Sequence, residues 1–187
     1  MKSALTFCTT LALLVSVAVA AELKSGLEPG KPIGPFDVVK CAGPDDKVKV
    51  GDELCYRCKY GNRPMVMVFS RSSDAKVAAL AKKLDAAVEA NSAKQLAAFV
   101  SMLGGDREAL ESTAKQFCTG NKLANVPLVV PVEFENGPAD YGINPDAEVT
   151  VIVAKGGKVM ANHGFAKGDV NDAAIAAVLA DVSKLVQ

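Results

Sequence analysis

Two short apolar stretches separated by a helical pattern limit the possible folds more than any other feature of this sequence. Met65 to Phe69 reads MVMVF, and Leu96 to Met102 reads LAAFVSM. Between them, from about Ser73 to Glu89, apolar residues recur at the three- and four-residue spacing of an amphipathic helix. Continuously apolar strands are typical of a sheet that is covered on both faces. The pattern therefore predicts a parallel β–α–β core with Met65 to Phe69 in the middle of the sheet.

The rest of the chain predicts further strands and helices around this core. A hairpin is expected ahead of it, with a first strand at Phe36 to Lys40 and a returning arm at Lys47 to Val50. After the core, the pattern predicts a helix over 106–119, a strand over 126–132, a helical turn at 139–142, strands over 148–153 and 158–161, and a closing helix over 170–186. This order predicts the α/β class: one domain with a mixed central sheet flanked by helices and an N-terminal β-hairpin.

The N-terminus has the layout of a secretory signal peptide. Lys2 precedes an apolar run from Ala4 to Val19, and Ala18, Val19 and Ala20 form a small-residue cleavage site. Residues 1–20 are therefore predicted to be removed on export, to the periplasm or outside the cell, with no membrane span left after cleavage. Residues 21–35 are rich in Gly, Pro, Lys and Glu and are predicted to form a flexible leader before the domain at 36–187.

Charge and composition narrow the classes of partner. The 21 basic and 21 acidic residues of the 187-residue chain balance, and no basic run of the kind that follows a phosphate backbone is present. Nucleic acid is therefore not expected as a partner. Half of the residues are hydrophobic, which predicts a core-forming domain rather than a disordered chain.

Four cysteines remain after predicted cleavage: Cys41, Cys55, Cys58 and Cys118. An exported protein meets an oxidising compartment, where cysteines tend to pair. Four cysteines allow three fully paired connectivities, which the sequence leaves open.

Cys55 and Cys58 form a Cys-x-x-Cys pair, a spacing that permits exchange between dithiol and disulfide. Arg57 and Lys59 add positive charge that favours the thiolate, the attacking form. The alternative is a purely structural disulfide, which we call a staple.

A zinc site is a weaker hypothesis. The spacing of Cys55 and Cys58 matches half of such a site, but Cys41 and Cys118 are not a close-spaced second pair. A haem attachment site is not expected either, because Lys59 stands where the attachment motif needs histidine. We therefore predict no metal and no cofactor.

The stretches GDELCYRCKYGNRPMVMVFS and VTVIVAKGGKVMANHGF resemble the thioredoxin superfamily, specifically its peroxiredoxin-like (redoxin) branch, over roughly residues 35–186. The resemblance implies a thioredoxin-like fold. It also implies a peroxidatic cysteine in the turn after the first central strand, but that turn is Ser70 to Asp74 and holds no thiol. The chain is therefore predicted to lack the usual active-site cysteines and not to be a typical peroxidase.

The site predictions follow from these features. Cys55 and Cys58 are the predicted catalytic residues, lying before the central strand and so near the end of the sheet opposite the usual redoxin site, with Cys55 as the attacking thiol by analogy. Cys41 and Cys118 are candidate resolving residues or disulfide partners. Arg71, Ser72 and Ser73, at a helix N-terminus, are candidate anion-binding residues. The predicted function is thiol–disulfide redox exchange with a protein partner, and the alternative is a non-catalytic binding or scaffold domain whose cysteines form structural disulfides.

Overall fold

A single seven-stranded mixed sheet organises the chain in a computed structural model that describes residues 23–187. The strands are β1 Val38–Ala42, β2 Glu53–Leu54, β3 Met65–Ser70, β4 Ala97–Met102, β5 Leu128–Pro131, β6 Val149–Lys155 and β7 Lys158–Phe165. The helices are α1 Tyr56–Tyr60, α2 Ala75–Ala90, α3 Arg107–Asn121 and α4 Asp172–Leu185, with 3-10 turns at Ser92–Lys94 and Ala139–Tyr141. The predicted α/β class, with a mixed sheet flanked by helices, is confirmed.

The sheet has the order β2-β1-β5-β4-β3-β6-β7. Strand β4 pairs in parallel with β3 and β5, as the β–α–β pattern predicts. The other pairings are antiparallel, and the β6–β7 hairpin forms one edge. Gly156 and Gly157 at its tip both have positive φ, which glycine adopts without strain.

Alternate residues of the central strands enter two apolar layers, which explains why their sequences are continuously apolar. Val66 and Val68 of β3 face the layer that contains α2, α3 and α4. Met65, Met67 and Phe69 face the layer that contains α1 and the N-terminal segment. All five side chains are at most 1% exposed. Burial of both faces supplies the main stabilisation of the sheet.

Two predictions about the N-terminal region need correction. The return arm of the hairpin is β2 at Glu53–Leu54 and not Lys47 to Val50, because residues 43–48 fold around the side chain of Lys40 instead. The predicted flexible leader packs against the sheet from residue 23 onward: Ser25 and Ile33 are buried, and Ser25 Oγ lies 2.5 Å from Thr150 Oγ1.

The predicted signal peptide, residues 1–20, lies outside the described residues. Among residues 23–187, no helix has the length and hydrophobicity that crossing a bilayer would require.

Candidate functional site

Cys55 and Cys58 are joined by a disulfide at the start of α1. Cys55 is the N-cap of this helix, and its Sγ accepts a hydrogen bond from the backbone N–H of Cys58 at 3.0 Å. Gly61, with φ of 59°, ends the helix and donates its N–H to the carbonyls of Arg57 and Cys58. The pair therefore does open a helix, a short one that the sequence analysis did not predict. Cys58 is exposed and Cys55 is half-buried, so the pair lies at the protein surface.

Helix α1 lies near the end of the sheet at which β3 begins, which we call the disulfide end. After α1, the carbonyl of Asn62 accepts a hydrogen bond from the N–H of Gly156 at the β6–β7 turn, at 3.1 Å. The guanidinium of Arg57 lies against Gly157 in the same turn, and its Nε donates to the carbonyl of Ile33. These contacts fasten α1 to the β6–β7 turn, which lies beside the start of β3 because Met65 pairs with Ala154. The cysteine pair therefore does not lie in the turn that follows β3.

Two tyrosines of α1 anchor the helix in the apolar layer. Tyr56 is 1% exposed and stacks on Phe99 with ring centroids 5.8 Å apart. Tyr60 lies 5.4 Å from Tyr56, between ring centroids, and its hydroxyl donates to the carbonyl of Ala98. Burial raises the pKa of both phenols. Because Tyr56 and Tyr60 are four residues apart, they share the inner face of α1 and leave Cys58 on the outer face.

An ion pair between Lys40 and Asp46, in and after β1, supports α1 through the loop that follows β1. The Nζ of Lys40, which is 2% exposed, donates to Asp46 Oδ1 at 2.7 Å and to the carbonyls of Pro44 and Val48. Burial works against ionisation of Asp46, but the hydrogen bond from Lys40 and the neighbouring Tyr56 hydroxyl outweigh it, and the pKa of Asp46 lies below its ordinary value. Lys59 Nζ of α1 donates to the backbone carbonyl of Asp46. The loop around Lys40 is therefore tied to the disulfide helix.

The structure leaves Cys41 and Cys118 as buried thiols and does not bond them to the Cys55–Cys58 pair. Both side chains lie in the apolar layer of α2, α3 and α4, whereas α1 packs on the opposite face of the sheet. Burial raises the pKa of Cys41 to about 11 and raises that of Cys118. Both are thus unbonded and lie across the sheet from the pair, and their role as resolving residues or disulfide partners stays a prediction.

The predicted anion-binding residues lie at the opposite end of the sheet, where β3 ends, which we call the Ser70 end. Asp74 occupies the N-terminus of α2 and accepts hydrogen bonds from the N–H groups of Lys76 and Val77. Those bonds hold the pKa of Asp74 below its ordinary value. Arg71 donates to the carbonyl of Glu135 at 2.6 Å, and Ser72 Oγ accepts from the N–H of Asp74. A carboxylate of the chain itself thus accepts the N–H groups at the start of α2, and anion binding by Arg71, Ser72 and Ser73 stays a prediction.

Lys40 and Asp46 are the residues of this region that the sequence analysis missed. The available signal was Lys40 in the otherwise apolar run of β1, followed by the turn residues Gly43 to Asp46. A lysine at a strand position that faces the core requires a partner, and the nearest acidic residues are in that turn. Within residues 23–187, no group of three or more His, Cys, Asp or Glu side chains has an arrangement that could hold a metal ion.

No protein-family model matches the sequence, and no curated protein matches it. Solved structures do resemble the fold. A putative thiol:disulfide interchange protein DsbE from Chlorobium tepidum is 16% identical, with a TM-score of 0.55 over 83% of this chain and 99% of that one. A putative protein disulfide isomerase from Bacteroides thetaiotaomicron is 11% identical, with a TM-score of 0.60 over 87% and 92%.

A yeast mitochondrial 1-Cys peroxiredoxin is also similar, at 10% identity and a TM-score of 0.57 over 85% of this chain and 77% of that one. Identities this low establish the fold and not the activity. The strand order, the flanking helices and these likenesses together identify a thioredoxin-like fold.

Proposed function

We propose that this chain is an exported thiol–disulfide redox protein that works through Cys55 and Cys58, on a redoxin-type version of the thioredoxin-like fold. The observation that carries the proposal is the disulfide itself, exposed at Cys58 and built on a helix N-terminus. An open disulfide of this spacing exchanges readily with thiolates. The turn after β3 holds no cysteine, so the proposal does not include typical peroxidase chemistry.

The reaction is a two-electron exchange. A partner thiolate attacks one sulfur and breaks the Cys55–Cys58 bond, and the mixed disulfide is resolved by the partner's second thiol. The protein ends with two thiols and the partner with one disulfide, so two electrons and two protons have moved to the protein. In the reverse direction Cys55 is the proposed attacking thiol, by analogy with the first cysteine of the usual Cys-x-x-Cys motif and because its sulfur lies at the N-cap of α1, where it accepts a hydrogen bond from the N–H of Cys58 in the disulfide form.

A secretory signal peptide would place the protein in the periplasm or outside the cell. The predicted signature at residues 1–20 supports this location, as does a disulfide in the fold. The physiological partner is then another exported protein that carries a dithiol or a disulfide.

A second candidate function is a binding or scaffold domain in which this disulfide is a staple. The observation that favours it is the firm anchoring of α1 by two buried tyrosines and by the contacts of Arg57 and Lys59. A staple is difficult to reduce, whereas a redox centre has a potential near that of its partners.

The experiment that separates the two functions is a redox titration of the mature protein in glutathione buffers, with alkylation and peptide mass mapping. Redox function predicts a Cys55–Cys58 bond that opens between about −120 and −270 mV. A bond that stays closed until the potential of the buffer falls below about −300 mV would establish the staple. A bond that links either residue to Cys41 or Cys118 would also establish it. The variant Cys41→Ala/Cys118→Ala, titrated in parallel, gives the potential of the pair alone.

A further inference from the structure

The two ends of the sheet differ in charge, although the whole chain carries 21 basic and 21 acidic residues. At the disulfide end, the segments 28–33, 40–64, 91–96 and 155–158 contain ten basic and five acidic residues. At the Ser70 end, the segments 71–76, 103–109, 132–148 and 166–172 contain four basic and ten acidic residues. A balanced composition therefore hides a strong separation of charge along the strands.

Contacts between segments that are distant in sequence bring the positive side chains to the end of the sheet where α1 lies. Lys158 begins β7, and it forms a backbone bridge with Pro32, next to Lys31. The adjoining β6–β7 turn contacts Arg57 and the loop after α1. On the other side, the bond from Lys59 to the carbonyl of Asp46 places the loop that carries Lys47 beside the helix.

These cations are available to a partner. Lys31, Lys47, Lys49, Lys59 and Lys158 are all exposed. The buried charges of Lys40 and Asp46 neutralise each other, so they do not offset the exposed excess. The acidic residues at this end include Asp52 and Glu53, directly before Cys55, and they reduce the positive excess without reversing it.

We propose that the exchange partner of Cys55–Cys58 is a protein whose reactive cysteines lie in an acidic surface; this inference rests on the proposed redox function. Positive charge around a disulfide attracts an approaching thiolate and an acidic surface together. Complementary charge raises association rates from about 10⁵–10⁶ to as much as 10⁸–10⁹ M⁻¹s⁻¹ at low salt, and like charge suppresses wrong partners. A partner with a basic surface is disfavoured at this end.

The test uses two synthetic dithiol peptides with the same Cys-x-x-Cys centre, one flanked by glutamates and one by lysines, and dithiothreitol as an uncharged reductant. The rate of Cys55–Cys58 reduction is measured for each and expressed per thiolate, since flanking charge alters thiol ionisation. We expect the acidic peptide to react at least about 10-fold faster at 0.01 M ionic strength, where the Debye length is about 30 Å, and the ratio to approach one at 1 M, where it is about 3 Å.

Charge-reversal variants assign the effect to this surface. Lys59→Glu/Lys158→Glu is expected to lower the acidic-to-basic rate ratio at least threefold. Lys82→Glu/Lys83→Glu is the matched control: it makes the same change on an exposed part of α2, which packs on the other face of the sheet, and it should leave the ratio near its wild-type value. Lys47→Glu/Lys49→Glu is a second test variant if the loss of the Lys59 bond prevents folding.

The outcomes distinguish the two proposals. If the glutathione titration places the potential of the Cys55–Cys58 bond in the range of a staple, the redox function itself is wrong. If the titration supports the redox function but the two peptides react equally, or the basic peptide reacts faster, the acidic partner is wrong and the redox function stands. An unchanged acidic-to-basic rate ratio in both test variants, Lys59→Glu/Lys158→Glu and Lys47→Glu/Lys49→Glu, also overturns the inference.

Discussion

Each end of the sheet has a helix start, but the residues at the two helix starts differ. At the Ser70 end, Asp74 caps α2 and the Arg71 guanidinium donates to the carbonyl of Glu135. At the disulfide end, the sulfurs of Cys55 and Cys58 lie at the start of α1, and exposed lysines such as Lys59 and Lys158 lie at the same end of the sheet. The two helix starts therefore differ in their caps: a carboxylate of the chain accepts the N–H groups at the start of α2, whereas a disulfide sulfur accepts the N–H group at the start of α1.

Removing Asp46 should weaken the disulfide end most. Asp46→Ala leaves the Lys40 ammonium buried without its carboxylate, which costs about 3 kcal/mol, the low end for a broken buried pair because Asp46 keeps some solvent contact. Urea denaturation measures the change, and Asp45→Ala, an exposed neighbour, should stay within about 0.5 kcal/mol. Equal losses in the two variants would mean that the pair does not hold the loop.

The same residue predicts a pH dependence. Because the folded pKa of Asp46 is lowered, its stabilisation is present above the unfolded value of about 3.9 and is lost as the pH falls through the folded pKa. Wild type should therefore lose more stability on acidification below about pH 4 than Asp46→Ala does. Parallel acid titrations of the two proteins would test the sign.

Alkylation can test whether accessible cysteine chemistry is confined to the disulfide end. Burial raises the pKa of Cys41 from 9.0 to about 11, so at pH 8 its thiolate fraction falls by about 100-fold. We expect iodoacetamide to label native Cys41 at least that much more slowly than the urea-unfolded chain, with peptide mass mapping as the readout. Equal rates would show that this thiol is not buried in solution.

Opening the disulfide should have a moderate effect on stability. The bond closes a sequence separation of three, and such a short loop gives an entropic stabilisation of about 2 kcal/mol. Cys55→Ala/Cys58→Ala should lose about that much free energy of unfolding, and reduction of wild type should give the same loss. Reduction that unfolded the whole domain would favour the staple.

The smallest predicted effect is at the Ser70 end. Asp74→Ala removes the N-cap of α2 and should cost about 1 kcal/mol, with no change in the potential of the Cys55–Cys58 bond. Ser73→Ala, at the exposed neighbouring position, is the matched control for stability. A shifted potential in Asp74→Ala would show that the two ends of the sheet are energetically coupled.

Much of the architecture was predictable because strand and helix patterns are local. Met65 to Phe69, the helix after it and the hairpin at Gly156 and Gly157 are all confirmed. Helix α1 was missed, since its five residues are too short for a periodic pattern and depend on the Cys55 cap and the packing of Tyr56. The packing of residues 23–35 was missed because it depends on contacts such as Ser25 with Thr150, 125 residues away in sequence.

The fold class, the Cys-x-x-Cys spacing and the absence of a thiol between Ser70 and Asp74 follow from the order of neighbouring residues, because each is a local pattern. The pairing of the cysteines, the ion pair between Lys40 and Asp46 and the position of the positive surface depend on contacts between distant segments. Cys41 and Cys118 lie on the other face of the sheet from α1, and a β-strand sends successive side chains to opposite faces. The positive surface arises because strand pairing brings Lys31 and Lys158 to the end of the sheet where α1 packs, and a chain with equal numbers of basic and acidic residues gives no sign of it.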